Sequence, residues 1–406
     1  MRASGEVGFW GYGRPDGRVG VRNHVAVIPS VFCASGVARR IASQIEGAVA
    51  VEHSVGCSQV GFDLEITARI LKNLGKHPNV GAVLVVGLGC ERLRAVELAE
   101  EIGKSGKPVE MCTIQDSGGS LKAIEIGSSI VRKLVKSVAT IRRERFGLEQ
   151  LAIATECGGT DAFSGIVANP SVGIASDMVV AAGGTVMLSE ITELLGTERL
   201  LAARAINQEV ADQIYRVIGL AESILTRETS SDRSGRRRAL ISPGNMDGGV
   251  TTVVEKSLGG AKKAGSSPFV GVLKYGEVYE RHGLHLMDTP GQDGESTTGM
   301  VAGGCQIVLF TTGRGTPTGH PIAPVIKITG NSGAFRRLFD NIDINVGSVV
   351  DGLNTLEEAG AGIFQELLAV ASGKLTKAEA LGHDELMTVW RPSSEHSVAY
   401  GCGEWA

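Results

Sequence analysis

The densest chemistry in this chain lies in Thr155-Glu156-Cys157-Gly158-Gly159-Thr160-Asp161, where a thiol stands between two carboxylates. The carboxylates can take or give a proton and the thiol can ligate a soft metal. The paired glycines let the backbone bend and leave room for a ligand. Taken alone, the stretch reads equally well as a tight turn around a structural Cys, because a free Cys is often a small core residue. Two more thiols share its setting: Cys57, after His53-Ser54-Val55-Gly56, and Cys90, in Gly87-Leu88-Gly89-Cys90-Glu91. Each follows an apolar run by a few residues and has a glycine beside it. Cys57, Cys90 and Cys157, with His53 nearby, form a donor set that suits iron, zinc or an iron–sulfur cluster. Three Cys ligands leave one iron corner open for a substrate. Glu91, Glu156 and Asp161 carry carboxylates to the same rim. Cys33, Cys112, Cys305 and Cys402 lack this setting and are expected to be structural.

A second group consists of cations and amides on turns: Arg14, Arg18, Arg22, Lys256, Arg314 and Lys327, with Asn169, Asn245 and Asn331. Arg forks and amides suit carboxylates and hydroxyls. Singly, each is more often solvated or structural; together they point to an anionic, hydroxylated small substrate.

The elements that must position these residues are strands alternating with helices. Apolar runs predict strands at Val25–Ile28, Ala48–Glu52, Val80–Val86 and Val109–Thr113. Amphipathic stretches predict helices at Ser35–Ile45, Asp63–Leu74, Arg92–Lys104 and from about Asp116 to Arg145. Such alternation is the signature of a doubly wound parallel sheet. A second unit begins at Leu151, with a helix near Ala175–Ala182, a strand at Thr185–Leu188 and helical pattern from Glu198 to Arg227. Further strands are expected at Leu284–Met287, Ile307–Phe310 and Ala323–Ile328, and a helical tail, Leu353–Leu375, caps the domain. The expected fold is α/β: two Rossmann-like parallel-sheet units, 1–148 and 149–406, facing a cleft that gathers the three thiols, with a helical C-terminal cap. Residues 229–240 read as a polar surface loop.

Composition narrows the function classes. The 406 residues exceed one ordinary core. The net charge of −4 and only 4% aromatics argue against a nucleic-acid platform, and Arg236-Arg237-Arg238 lacks aromatic interleaving. No apolar run reaches the ~20 residues a membrane helix needs, and the N-terminus lacks the apolar core of a signal peptide. Seven Cys without a CxxC fit reduced thiols and a cytoplasmic protein. Gly87 and Gly89 lack the third glycine and the following acid of a dinucleotide site, and no phosphate-binding loop is present.

Ordered motifs run through the whole chain: Asp16-Gly17-Arg18, Arg22-Asn23, His53 to Cys57, Gly87 to Glu91, Cys157 to Asp161, Ala168-Asn169-Pro170, Pro243-Gly244-Asn245 and Glu255-Lys256-Ser257. They continue with Met287 to Gly291, Phe310 to Gly315 and Asp343-Ile344-Asn345. With these the chain resembles the altronate and galactarate dehydratase family, which also includes the large subunit of sulfolactate sulfo-lyase. The resemblance implies a lyase that removes a proton next to a carboxylate and expels a group from the neighbouring carbon. From a sugar acid such as D-altronate or galactarate it expels water and leaves a 2-oxo-3-deoxy acid. From (2R)-sulfolactate it expels sulfite and leaves pyruvate. The resemblance also implies iron, as Fe²⁺ or a cluster, which we expect on Cys57, Cys90 and Cys157. His53, Glu156 and Asp161 are the expected acid–base residues. Arg18, Arg22, Asn169, Asn245, Lys256, Arg314 and Lys327 are the expected substrate contacts.

Two departures bear on the substrate. Family dehydratases carry a small domain ahead of the Asp-Gly-Arg motif, which here begins at residue 16, so a separate small subunit is one expected partner; a homo-oligomer is also expected. Cys57 is followed by Ser58-Gln59, where the family's dehydratases carry a further Gly, and this keeps sulfolactate in play. The alternative from another class is a non-catalytic sugar-acid-binding protein.

Overall fold

The computed structural model describes residues 7–228 and 241–392. The expected loop at 229–240, with Arg236-Arg237-Arg238, and Cys402 lie outside the described residues. Strands β1 (Gly8–Gly13) and β2 (Val19–Gly20) form a hairpin around Arg14. Next come β3 (His24–Pro29), β4 (Ala48–Ala50), β5 (Val80–Gly87) and β6 (Val109–Thr113), a parallel sheet in the order β4-β3-β5-β6. Strand side chains alternate between faces, and the two faces of β3 enter different cores. Val25 and Val27 pack with Val37, Ile41, Val131 and Leu134 of the helices Ser35–Ala42 and Ser120–Val138. Ala26 and Ile28 join Ile66, Ile70 and Leu74 of the helix Gly61–Lys76 and Ile102 of the helix Ala95–Gly103.

The helix expected to reach Arg145 ends at Val138, and β7 (Glu144–Gly147) pairs antiparallel with β1. Seven parallel strands follow. They are β8 (Ala152–Cys157), β9 (Thr185–Leu188), β10 (Phe269–Leu273), β11 (Gly283–Met287), β12 (Ile307–Thr311), β13 (Val325–Thr329) and β14 (Ile344–Asn345). Their order is β10-β11-β9-β8-β12-β13-β14. The helical stretch expected from Glu198 breaks into Glu198–Ala202 and Gln208–Glu228. Between them the backbone turns to pair with β10: Phe269 N–H donates to Arg204 O and Ile206 N–H to Phe269 O. The helix Leu356–Ala371 opens with a capping box on Thr355 and Glu358 and packs against the helix Asn169–Ala181. Among the described residues no helix is long and apolar enough to cross a membrane.

The two sheets are joined by apolar packing, because the core beneath Ala26 and Ile28 continues into Ala152, Ala154, Val308, Phe310 and Leu386. Buried polar groups pin this joint. His77 Nε2 meets Cys305 O at 3.0 Å, and Asn79 Nδ2 donates to Gln306 O and Ile322 O. Arg22 spends all five N–H donors on Glu379 and on the Val21, Val370 and Lys374 carbonyls. Arg22 is therefore a structural clamp with nothing left for a substrate. Arg22→Met is expected to cost about 3 kcal/mol by stranding the Glu379 carboxylate, read as a lower urea midpoint.

Candidate active site

Because β11, β9 and β8 are adjacent and parallel, the segments leaving their carboxyl ends lie side by side, where α/β sheets place their sites. Glu156-Cys157 closes β8, Ser189-Glu190 and the short turn Ile191–Glu193 follow β9, and Asp288 to Gly291 follows β11. A cavity of about 530 Å³ opens above them, walled by Cys157, Glu193, Asn245, Lys256 and Asp293 among others.

Below this cavity is a buried charge cluster. Lys263 pairs with Glu190, both side chains 1% exposed, and Lys256 pairs with Glu193. Glu156 is fully buried, and its Oε2 accepts a hydrogen bond from Ser296 Oγ at 2.7 Å. Glu190 is a non-glycine residue at φ 62°, and its N–H donates to Thr289 Oγ1 at 2.7 Å. Holding a side chain in the left-handed region costs energy and is typical of functional positions.

Four carboxylates (Glu156, Glu190, Glu193, Asp293) thus face two ammonium groups, so they cannot all be ionised cheaply in a desolvated site. Glu156 Oε1, Glu190 Oε1 and Glu193 Oε2 are buried with no hydrogen-bond partner. Burial, then the Glu190 charge, pushes Glu156 well above the carboxylate range and Glu193 up to about 7. Burial, then Glu193, raises Asp293 to about 6. Burial works to lower Lys256 and Lys263, but Glu193 and Glu190 respectively outweigh it, and both lysines are raised. The arrangement is two fixed cations beside carboxylates that titrate near neutrality. Such a site can bind an anion and move a proton next to it.

Glu156, Cys157, Asn245 and Lys256 of the expected residues belong here. Asn245 Oδ1 accepts from Thr160 N at 2.9 Å and steadies the turn after Cys157. Cys157 is buried, its Sγ 3.2 Å from Thr160 Oγ1, and burial raises its thiol above the ordinary value. Arg314 has a 53% exposed side chain that bonds Gly244 O and pairs with Asp247.

The structure places the other expected residues outside the lining of this cavity. His53 lies in the loop after β4: its Nδ1 accepts from Val55 N–H, its Nε2–H donates to Pro29 O at 2.7 Å, and burial lowers it to about 4. With both ring nitrogens bonded to backbone, it pins a turn and has no free nitrogen for acid–base work. Asp161 is consumed by Ser164 N–H, Ser164 Oγ and Asn331 Nδ2. Asn169 bridges Thr311 Oγ1 and Gly259 O. Lys327 is buried on the Pro317 and Thr318 carbonyls, lowered by burial to about 8. Arg18 is held by Asp16 and Lys76 O. These residues build the scaffold.

The three thiols do not share one cleft. Cys57 and Cys90 line a separate cavity of about 400 Å³ above the N-terminal sheet, together with Cys33, which the sequence reading set aside. That cavity and the one holding Cys157 have no lining residue in common. Among the described residues no three His, Cys, Asp or Glu side chains stand close enough to grip a single ion.

Sequence reasoning missed Glu190, Glu193, Lys263 and Asp293. Ser189-Glu190 directly follows a predicted strand, the same signal that marked Glu156-Cys157. Lys263, the second lysine of Ala261-Lys262-Lys263-Ala264, carries no such signal.

Residues 148–394 match the family model described as D-galactarate/Altronate dehydratase, C-terminal, and residues 11–139 the model described as D-galactarate dehydratase/Altronate hydrolase, second domain. The Altronate dehydratase of Bacillus subtilis is 36% identical over 392 residues, covering 93% of this chain and 76% of the relative. The Galactarate dehydratase (L-threo-forming) of Escherichia coli is 36% identical over 406 residues, covering 95% and 77%. The (2R)-sulfolactate sulfo-lyase subunit beta of Chromohalobacter salexigens is 37% identical over 380 residues, covering 93% of this chain and 96% of that subunit.

Proposed function

The chain belongs to the D-galactarate/altronate dehydratase family, and from that premise we propose that it is a lyase eliminating water from a sugar acid such as D-altronate or galactarate to give a 2-oxo-3-deoxy acid. The observation that carries this reading is the cluster of four carboxylates and two lysines at the ends of β8, β9 and β11. The reaction needs a cation for the substrate carboxylate and a base for the weakly acidic proton on the adjacent carbon. Lys256, on the cavity wall, receives the carboxylate. Glu193, whose Oε2 has no partner, takes the proton. The electron pair left on carbon expels the neighbouring hydroxyl, which Asp293 protonates to water, and the enol relaxes to the 2-oxo acid. Iron, which the resemblance implies, would supply Lewis-acid polarisation, but no step is routed through it, because among the described residues no three donor side chains stand close enough to grip a single ion.

The signs of this assignment fix a pH profile. Glu193 must be ionised and titrates at about 7, so it gives the limb that rises with pH. Asp293 must be protonated and titrates at about 6, so it gives the limb that falls. A bell in kcat/KM is expected with its maximum between about 6 and 7; a plateau persisting through pH 8 rules out Asp293 as the acid.

A second reading, sulfite elimination from sulfolactate, is supported by the likeness to the sulfo-lyase subunit, which at 37% identity is as similar as the altronate dehydratase at 36%. A separate small subunit belongs to this reading, and a homo-oligomer and a cytoplasmic location to both. The test is product analysis with altronate, galactarate and sulfolactate offered separately, without oxygen and with iron. A 2-oxo-3-deoxy acid without sulfite supports the first reading, sulfite with pyruvate the second. Binding of a sugar acid without turnover returns the non-catalytic alternative.

A further inference from the structure

A further polar side chain stands in the wall of the cavity that holds Glu193 and Lys256. Ser257 lines it and is fully buried, and its Oγ has no hydrogen-bond partner in the protein. A serine inside a helix commonly returns its hydroxyl to the carbonyl four residues back. Ser171, equally buried, does so and donates to Val167 O at 2.8 Å. Ser257, on the helix Val253–Ala261, has Val253 O in that place and does not use it. A buried hydroxyl left unpaired is costly. One kept on a cavity wall calls for a partner that arrives from the cavity.

The helix sets the direction of that hydroxyl. At about 3.6 residues per turn, Val253, Lys256 and Ser257 fall within an arc of about 100°, and all three line the cavity. Ser257 therefore shares a face with the Lys256 ammonium. Val253 is the first residue of the helix, so the positive end of the helix dipole adds to Lys256 at this wall. The helix is also held firmly. A Cβ on Gly259 would lie 2.9 Å from Gly165 Cα, and Asn169 Nδ2 donates to Gly259 O at 3.0 Å. Donors carried on so fixed an element hold their geometry.

Lys256 alone leaves the binding of a carboxylate incomplete. An ammonium is a point charge on a flexible stem, and this one already donates to Glu193. It draws an anion in without fixing how the anion is turned. A carboxylate has lone pairs for several donors, and a second, directional donor removes that freedom. We propose that Ser257 is a substrate-contacting residue whose hydroxyl donates to the carboxylate held by Lys256, turning the adjacent carbon toward Glu193. The hydroxyl keeps its proton throughout. The inference rests on the reading of this cavity as a sugar-acid site.

The test compares the full chain with Ser257→Ala, Ser257→Cys and the control Ser171→Ala. Thermal melting is followed beside kcat/KM for whichever of altronate, galactarate and sulfolactate is converted, without oxygen and with iron. If none is converted, the dissociation constant of galactarate is read by calorimetry instead. Ser257→Ala removes an unpaired hydroxyl from a helix, so it should melt no lower than the unsubstituted chain. Its kcat/KM should fall, or its dissociation constant rise, by about 10–100-fold, the worth of a hydrogen bond to a charged group. Ser257→Cys, close in shape with a weaker donor, should fall between, and it carries the test if the alanine chain does not fold. Ser171→Ala should show the opposite pattern, melting lower with kcat/KM unchanged. A Ser257→Ala chain with undiminished kcat/KM overturns the proposal and leaves the dehydratase reading standing. Galactarate binding that depends on Ser257, without turnover, keeps the proposal and removes that reading. Neither turnover nor binding in the unsubstituted chain ends both.

Discussion

Glu193→Gln is expected to lower kcat by about 10²–10⁴-fold, the range by which general-base removal slows proton abstraction. The substitution is nearly isosteric, and the Gln carbonyl can still accept from Lys256, so the cavity wall stays in place. What is lost is the one carboxylate on that wall that sits near 7 and has a buried oxygen with no partner. Because Lys256 remains to meet the substrate carboxylate, KM should change far less than kcat, and the rising limb of the pH profile should disappear. Steady-state kinetics across pH on the variant and on Glu193→Asp check this. A variant with unchanged kcat and an intact rising limb removes Glu193 as the base.

Lys263→Met should be the most destabilising single change in the charge cluster, at about 3–5 kcal/mol, because it leaves a buried carboxylate without its cation. Lys263 and Glu190 are both 1% exposed. Lys263 also offsets the upward push on Glu156 and Glu193, so its removal drives both further toward the neutral acid. The double variant Lys263→Met with Glu190→Gln should recover most of the loss, since an uncharged, similarly shaped pair no longer carries the desolvation cost. Urea unfolding of the two single variants and the double closes the cycle. A double variant as unstable as the sum of the singles would mean that the two residues do not act as a pair.

Elements dictated by local pattern were legible in the sequence. Val80–Val86 is a continuous apolar run, and it became the fully buried strand β5. Strand β10 was not legible, because Gly271 interrupts the run Phe269–Leu273 and the register shifts there. The hairpin of β1 and β2 and its partner β7 were missed as well. Glycines and charges there read as turns, and the pairing spans most of the N-terminal unit.

The site divides along the same line. Glu156 and Cys157 were found because a strand, a turn and a reactive side chain are neighbours in sequence. Glu190 and Glu193 meet Lys263 and Lys256 only once the helix Val253–Ala261 and the turn after it pack against the end of β9, so their ion pairs leave no spacing to read. Cys33 has Phe32 and Ala34 as neighbours, and the strand-then-glycine signal of Cys57 and Cys90 passes over it. In the other direction, Arg22, His53 and Lys327 have the right chemistry by residue type, but backbone carbonyls occupy them.

The continuous core between the two sheets also sets the order in which this chain can finish folding during synthesis. The face of the first sheet that carries Ala26, Ile28, Val83 and Val85 is completed by Val308, Phe310, Leu386 and Val389. At translation rates of about 5–20 residues per second, that face waits some tens of seconds for its partners to emerge. During that interval an apolar surface built early is open to solvent and to neighbouring chains. A nascent chain stalled before Leu386 should therefore be a chaperone client, although its first sheet has already paired.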